Sequence, residues 1–274
     1  MLKKEVMEEV TEGYDRETLV SILKKFDNSG IDVFDAGRNK IRKFTVIHEG
    51  KEKEINVKSF RKKNYFTRMV YKYIKGSKAE RSYTYAKKLL SLGINTTEPI
   101  GYFENFPDSR TGKGKSFFIS EHLTYDLTGR ELFWDEEIRS EKKGIINSEK
   151  DEIIRQFTEY TFKLHEEGVE FEDYSPGNLL IRREGEKKYS FYIVDLNRMK
   201  FYRNLEFGRK LKNVSRMMEY PHYVKSFSEY YSRLCGRPSE EVYKKFSCYV
   251  KRHKFYVKLK DNTRTFRNFF KIRR

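Results

Sequence analysis

The chain has 274 residues and a formal net charge of +17 at pH 7. Aromatic residues make up 16% of it, a content that argues against a disordered chain and indicates a folded protein with a sizeable core. The longest apolar stretches span only a few residues, so the sequence predicts neither a transmembrane helix nor a signal peptide. The two cysteines, Cys235 and Cys248, cannot form a disulfide framework, which favours a reducing, cytoplasmic setting.

The first half of the chain has the pattern of a small antiparallel sheet with one main helix. Asp15 is a suitable cap for a first helix that ends near Gly30. Ser77 caps the main helix, which runs to about Leu92 and stops at Gly93. Strand-like runs separated by polar turns span residues 31–36, 40–48, 53–61, 100–105 and 116–121.

The second half of the chain is predicted to be mainly helical. A long helix from about Ser148 to His165 places its apolar residues on one face. Two short strands follow at 179–182 and 189–194, and the remainder has helical character to the C-terminus. A sheet-rich part followed by a helical part predicts an α+β fold with two lobes. The expected division is residues 1–121 for the N-lobe, 122–129 for the hinge and 130–274 for the C-lobe.

The positive charge is concentrated in two segments. Residues 58–78 contain eight Lys/Arg and no acidic residue, and residues 251–274 contain ten Lys/Arg and one acidic residue, so together they carry the whole excess of +17. Both segments also contain several aromatic residues. This combination suits an anionic membrane surface and a nucleic acid equally well. A solvated charged face, with its aromatic residues packed inward, is the third interpretation.

Three polar residues occupy positions that suit phosphate and metal chemistry. Asp173 lies in a loop after the helix that ends at Gly168, and Asn178 follows five residues later at the start of an apolar strand. Asp195 ends a second apolar strand, so oxygens of Asn178 and Asp195 can converge on one Mg²⁺ bound to a nucleotide. Asp173 would then be close enough to accept a proton from an attacking hydroxyl. Each aspartate taken alone also suits an ordinary turn.

Together these motifs resemble the catalytic core of the protein-kinase-like superfamily. The resemblance is carried by the Leu164-His-x-x-Gly168 lead-in, the Asp173-x-x-x-x-Asn178 loop and the metal-binding Asp195. Within this superfamily the chain is similar to the bacterial lipopolysaccharide kinases, which phosphorylate Kdo or heptose in the inner core. That similarity covers about residues 30–220. It is carried further by Asp195-Leu-Asn-Arg198 and by the stretches 81–100 and 213–217.

The resemblance implies a two-lobed kinase-like fold with an ATP site in the N-lobe. Lys58, on the third of the predicted strands, matches the lysine that contacts the α- and β-phosphates. Glu80 is the helix carboxylate expected to pair with Lys58, although a carboxylate in a first helical turn also suits the helix dipole. Gly37 lies in the turn that covers the nucleotide, where protein kinases carry several glycines.

The remaining roles follow from the same resemblance. Asp173 is the expected catalytic base, and Asn178 and Asp195 are the expected magnesium ligands, so ATP and Mg²⁺ are the expected cofactors. Asn197 and Arg198 are candidate acceptor-binding residues, with ordinary loop packing as the alternative. No Ala-Pro-Glu motif follows Asp195, which favours a sugar or lipid acceptor over a protein.

The expected acceptor is therefore a sugar hydroxyl of a lipid-linked saccharide, the lipopolysaccharide inner core. Because that acceptor lies in the cytoplasmic leaflet, we expect a cytoplasmic protein docked peripherally on the inner membrane through segments 58–78 and 251–274. Two alternatives stay open. A RIO-like or other atypical protein kinase would use the basic segments on RNA, the less favoured partner. A pseudokinase would keep the fold as a binding module. The single glycine of the nucleotide turn favours it, and the intact set of kinase-type residues opposes it: Lys58, Asp173, Asn178 and Asp195.

Overall fold

The computed structural model describes residues 7–35, 39–60, 76–107, 114–134 and 143–272. The chain divides into two compact units. The first comprises Met1–Thr124 together with Val194–Arg198, and the second comprises Tyr125–Ile193 together with Met199–Arg274. The short stretch Val194–Arg198, which contains the predicted metal ligand Asp195, therefore belongs to the sheet-rich unit, although it follows the long helix in sequence.

The first unit is built on a six-stranded antiparallel sheet with the strand order β1-β5-β6-β4-β3-β2. Its elements are β1 (Met7–Val10), α1 (Arg16–Lys25), β2 (Ile31–Asp35), β3 (Asn39–His48), β4 (Lys51–Phe60), α2 (Lys78–Ser91), β5 (Pro99–Phe106) and β6 (Lys115–Glu121). The predicted caps are confirmed, since the side chains of Asp15 and Ser77 accept backbone hydrogen bonds at the starts of α1 and α2. Strand β1 was not predicted, because its Met-Glu-Glu-Val sequence lacks a strand pattern; it pairs with β5 and comes first in the strand order.

Successive side chains of strand β4 point to opposite faces of this sheet, and the two faces have different surroundings. Ile55 and Val57 are fully buried in a core with Leu19 and Leu23 of α1. Lys58 is next to Val57 and therefore lies on the opposite face. Helix α2 packs against β5 and β6, where the ring centroids of Tyr83 and Tyr102 are 5.5 Å apart. The sheet thus holds the Lys58 side chain outside the apolar core.

The second unit is mainly helical, with two small antiparallel sheets ordered β10-β9-β7 and β11-β8. Its strands are β7 (Leu127–Thr128), β8 (Val169–Phe171), β9 (Leu179–Gly185), β10 (Lys188–Ile193) and β11 (Met199–Phe201). Its helices are α3 (Gly129–Phe133), α4 (Lys143–Ser148), α5 (Lys150–Glu166), α6 (Phe207–Val214), α7 (Pro221–Cys235) and α8 (Ser239–Ile272). The predicted long helix is confirmed as α5, but the three-residue strands β8 and β11 are too short to give a sequence pattern.

Helix α5 is the centre of the second unit. Its residues Ile153, Phe157 and Leu164 are fully buried, and helix α7 packs against it. Helix α8 packs in turn on α6 and α7. Within the described ranges, no helix combines the length and the apolar composition needed to cross a bilayer.

Candidate active site

The first unit brings two of the predicted site residues into direct contact. The ammonium nitrogen Nζ of Lys58 lies 2.7 Å from Oδ1 of Asp195. The Lys58 side chain is 12% exposed and is largely shielded from solvent, whereas the Asp195 side chain is 30% exposed and remains partly accessible. A lysine that binds phosphates and a carboxylate that binds Mg²⁺ need to lie close together, because both act on the same polyphosphate. The structure therefore places an ammonium group suited to binding phosphate beside a carboxylate suited to binding Mg²⁺.

The turn that carries Asp195 is held in an unusual conformation. Asp195 has φ of +62°, in the left-handed region that few residues other than glycine occupy. The amide Nδ2 of Asn197 donates to Oδ1 of Asp195 at 2.5 Å. Arg81 of α2 donates to the backbone oxygen of Asn197 at 3.1 Å and to that of Gly76 at 3.1 Å. These contacts tie the Asp195 turn to α2 and fix the direction of its carboxylate.

The structure gives the two predicted acceptor residues different surroundings. Asn197 is buried, and its amide group is engaged with Asp195. Arg198 is exposed. An acceptor-binding role for either residue stays a prediction, and Asn197 has a structural task in the Asp195 turn.

Glu80 lies in a different arrangement from the one predicted. Its carboxylate accepts a hydrogen bond from the backbone N–H of Ser77 at 3.1 Å, and the Ser77 hydroxyl accepts from the Glu80 backbone N–H at 3.1 Å. This reciprocal pair is a capping box at the start of α2. Among the described residues, the ion pair of Lys58 is with Asp195 rather than with Glu80. The predicted Lys58–Glu80 pairing is thus absent, because Glu80 sits in the first turn, where it completes the cap.

The second unit brings Asp173 and Asn178 together. The amide Nδ2 of Asn178 donates to the backbone oxygen of Asp173 at 2.9 Å, so its nitrogen is used within the loop and its oxygen is the atom suited to a cation. The carboxylate oxygen Oδ1 of Asp173 lies 3.0 Å from Nη1 of Arg216. The motif spacing therefore produces one compact loop in which a hydrogen bond orients the Asn178 side chain and an ion pair orients the Asp173 side chain.

A buried network of polar side chains is hydrogen-bonded to the backbone just before this loop. His165 is fully buried, with Nδ1 3.0 Å from the Tyr231 hydroxyl and Nε2 3.4 Å from Oδ1 of Asn213. Asn213 in turn donates to the backbone oxygen of Phe171 at 2.8 Å. Burial lowers the pKa of His165 to about 3, so the ring is neutral and can donate at one nitrogen and accept at the other. The histidine of the lead-in motif is therefore a structural support of the loop.

The donor atoms fit the predicted cation in type. Asn178 offers an amide oxygen and Asp195 a carboxylate, and Mg²⁺ prefers such hard oxygen ligands, few in number when phosphate is present. In the part of the chain that the structure describes, no cluster of three or more His, Cys, Asp or Glu side chains forms a metal site. Gly37 lies outside the described residues, as do residues 61–75 of the first basic segment.

Two residues that the motifs did not assign to a role contact predicted site residues within their own units. Arg81 holds the Asp195 turn, and Arg216 contacts Asp173. Both lie in stretches that carry the family resemblance, 81–100 and 213–217. That location was the one sequence feature that could have marked them as candidate site residues. Their contacts join positions far apart in the sequence, which no local pattern reveals.

Comparison with known proteins shows the fold. Among 428 solved chains that match the structure is one described as WaaP in complex with acyl carrier protein. The match covers 90% of this chain and 97% of that chain, with a TM-score of 0.57 and 15% sequence identity. No protein-family model and no curated protein matches the sequence. The predicted α+β fold class is confirmed: the chain has a WaaP-like, kinase-like fold.

Proposed function

We propose that the protein is an ATP-dependent phosphotransferase that phosphorylates a sugar hydroxyl, of Kdo or heptose, in the lipopolysaccharide inner core. The observation that carries this proposal is the contact of Lys58 with Asp195 on a WaaP-like fold. The motifs of this chain resemble those of the bacterial lipopolysaccharide kinases. The oriented Asp173–Asn178 loop adds the remaining groups that such a reaction needs.

In this mechanism the chain acts by positioning and by neutralising charge. Lys58 binds the α- and β-phosphates of ATP, and Asp173 orients the acceptor hydroxyl and takes its proton. The sugar oxygen forms a bond to the γ-phosphorus while the bond from that phosphorus to the β–γ bridging oxygen breaks, and ADP leaves. Asn178 and Asp195 would hold Mg²⁺, which would supply neutralisation of the negative charge on the phosphates.

We also propose that the protein works in the cytoplasm, peripherally on the inner membrane, because its acceptor is linked to lipid. Helix α8 supports this docking, since Phe255, Tyr256 and Leu259 are 65%, 63% and 48% exposed. Lys254 and Lys258, on the same turns, are exposed as well. Exposed aromatic and aliphatic residues next to lysines suit the interface of an anionic bilayer.

Phosphate transfer from labelled ATP to dephosphorylated lipid A–core material tests the proposal. We expect Lys58→Met, Asp173→Asn and Asp195→Ala to lower turnover by at least about 100-fold, the scale of general-base and charge-stabilising effects. Asp32→Asn is the matched control, because Asp32 is an exposed aspartate on β2 that pairs with Arg42. Equal background rates in wild type and Asp195→Ala would indicate a pseudokinase. Transfer to protein instead of saccharide, with RNA binding that weakens as salt rises, would indicate the atypical protein kinase.

A further inference from the structure

Arg216 joins the backbone and the side chain of the loop at the proposed catalytic base. Its Nη1 lies 3.0 Å from Oδ1 of Asp173 and donates to the backbone oxygen of Glu172 at 3.1 Å. One guanidinium nitrogen therefore contacts two adjacent residues of the loop. Such a contact restrains both the path of the backbone and the rotation of the Asp173 carboxylate.

The contact is part of a wider arrangement. Three consecutive backbone oxygens of the loop, those of Phe171, Glu172 and Asp173, each accept a hydrogen bond from a side chain. The donors are Asn213 at 2.8 Å, Arg216 at 3.1 Å and Asn178 at 2.9 Å, respectively. Arg216 also contacts the Asp173 carboxylate. Side-chain hydrogen bonds thus hold the backbone at each residue from 171 to 173.

The position of this ion pair argues against a role in global stability. The side chains of Arg216 and Asp173 are 37% and 28% exposed, so the pair is partly hydrated. Partly exposed ion pairs contribute little to the free energy of unfolding, because water already solvates both charges. A charge pair that adds little stability but touches the proposed base is best explained by an effect on that base.

We propose that Arg216 is a positioning residue that fixes the Asp173 carboxylate for the acceptor hydroxyl, an inference that rests on the proposed function. By pairing with the carboxylate at 3.0 Å, Arg216 restricts its rotation while the carboxylate orients the hydroxyl. In a loose transition state the proton moves late, after most of the bond from the γ-phosphorus to its leaving oxygen has broken. The proton of the hydroxyl then passes to Asp173, and the new phosphate ester retains the charge.

The test compares Arg216→Ala with Arg216→Lys in the full chain, assayed with ATP, Mg²⁺ and dephosphorylated lipid A–core material. We expect kcat of Arg216→Ala to fall by about 100-fold, the effect of misplacing a reacting group by about 1 Å, with KM for ATP unchanged. Arg216→Lys should recover part of this loss, since lysine restores the charge but not the planar guanidinium.

Arg209→Ala is the matched control. Arg209 pairs with Glu170, three residues before Asp173, and its side chain is 44% exposed against 37% for Arg216. We expect Arg209→Ala to match Arg216→Ala in melting temperature and to keep wild-type kcat. Equal kcat in the two variants, or a much lower melting temperature for Arg216→Ala, overturns the inference.

Hydrogen exchange separates this inference from the proposed function. Arg216→Ala should speed the exchange of backbone amides in residues 171–178 more than Arg209→Ala does, whether or not the protein transfers phosphate. Unchanged exchange overturns the positioning role. A wild type with no turnover above Asp195→Ala overturns the proposed function and the catalytic purpose of Arg216, and the exchange data still decide whether Arg216 holds the loop.

Discussion

Lys58 and Glu80 show how a side chain's partner depends on distant residues. The resemblance to kinases predicts that they pair, but Lys58 contacts Asp195 and Glu80 completes the cap of α2. Both observed contacts are favourable. A carboxylate in the first turn stabilises a helix N-terminus, and a lysine on a strand can pair with any anion near it. A nucleotide-binding role for Glu80 therefore stays a prediction that needs a separate test.

Glu80→Gln separates the capping role from a charge role. Glutamine also fits a capping box, so we expect the free energy of unfolding in urea and the phosphotransferase rate to stay at wild-type values. Ser77→Ala, which removes the other half of the box, should destabilise the protein by about 1 kcal/mol. If Glu80→Gln keeps its stability but loses turnover, the carboxylate charge is needed and the capping explanation is incomplete.

The end of α5 shows how an element positions the loop that follows it. Gly168 has φ of +70°, and its backbone oxygen accepts from the Tyr202 N–H at 2.9 Å. A Cβ atom at this position would lie 1.9 Å from the Tyr202 backbone oxygen. The glycine of the lead-in motif is therefore required by both backbone conformation and close packing, and it sets where strand β8 begins.

Gly168→Ala should destabilise the protein by more than about 2 kcal/mol, since the left-handed conformation and the clash with Tyr202 act together. Urea unfolding measures the effect. Gly185→Ala is the control, because beyond the two chain neighbours no described residue has an atom within 4 Å of the added Cβ. It should change the stability by less than about 0.5 kcal/mol. Similar losses in both variants would contradict the packing explanation.

At the scale of the whole molecule, the uneven charge is the property with the clearest consequence. The second basic segment begins inside α8, and its residues 254–260 are all exposed, including the large apolar ones. The interpretation that its aromatic residues pack inward is therefore wrong for Phe255 and Tyr256, which are more than half exposed. A helix with exposed rings and lysines is suited to an anionic surface.

Vesicle flotation tests this surface. Reversing Lys254 and Lys258 to glutamate should weaken binding to vesicles rich in anionic lipid by at least about 30-fold, given about 1 kcal/mol for each lysine near the membrane. The same reversal at Lys24 and Lys25, which are exposed on α1, changes the net charge equally and should have little effect. Equal losses in the two variants would show a general charge effect and exclude specific docking by α8.

Much of the fold was predictable because its signals are local. Asp15 and Ser77 cap helices through contacts three residues away, and the strand and helix periods repeat over a few residues. Elements too short to show such a period were missed. Strands β8 and β11 have three residues each, and they pair with one another although they are distant in sequence. The loop from Asp173 to Asn178 was predictable too, since its defining hydrogen bond spans five residues.

The sequence by itself determined the capped helices, the main strands, the loop from Asp173 to Asn178 and the location of the charge. Only the tertiary structure decided that Asp195 meets Lys58, that Glu80 does not, and that Arg216 contacts Asp173. The physical reason is competition. A charged side chain pairs with whichever opposite charge the packing of several elements brings within about 4 Å, and that choice is invisible in the residues on either side of it.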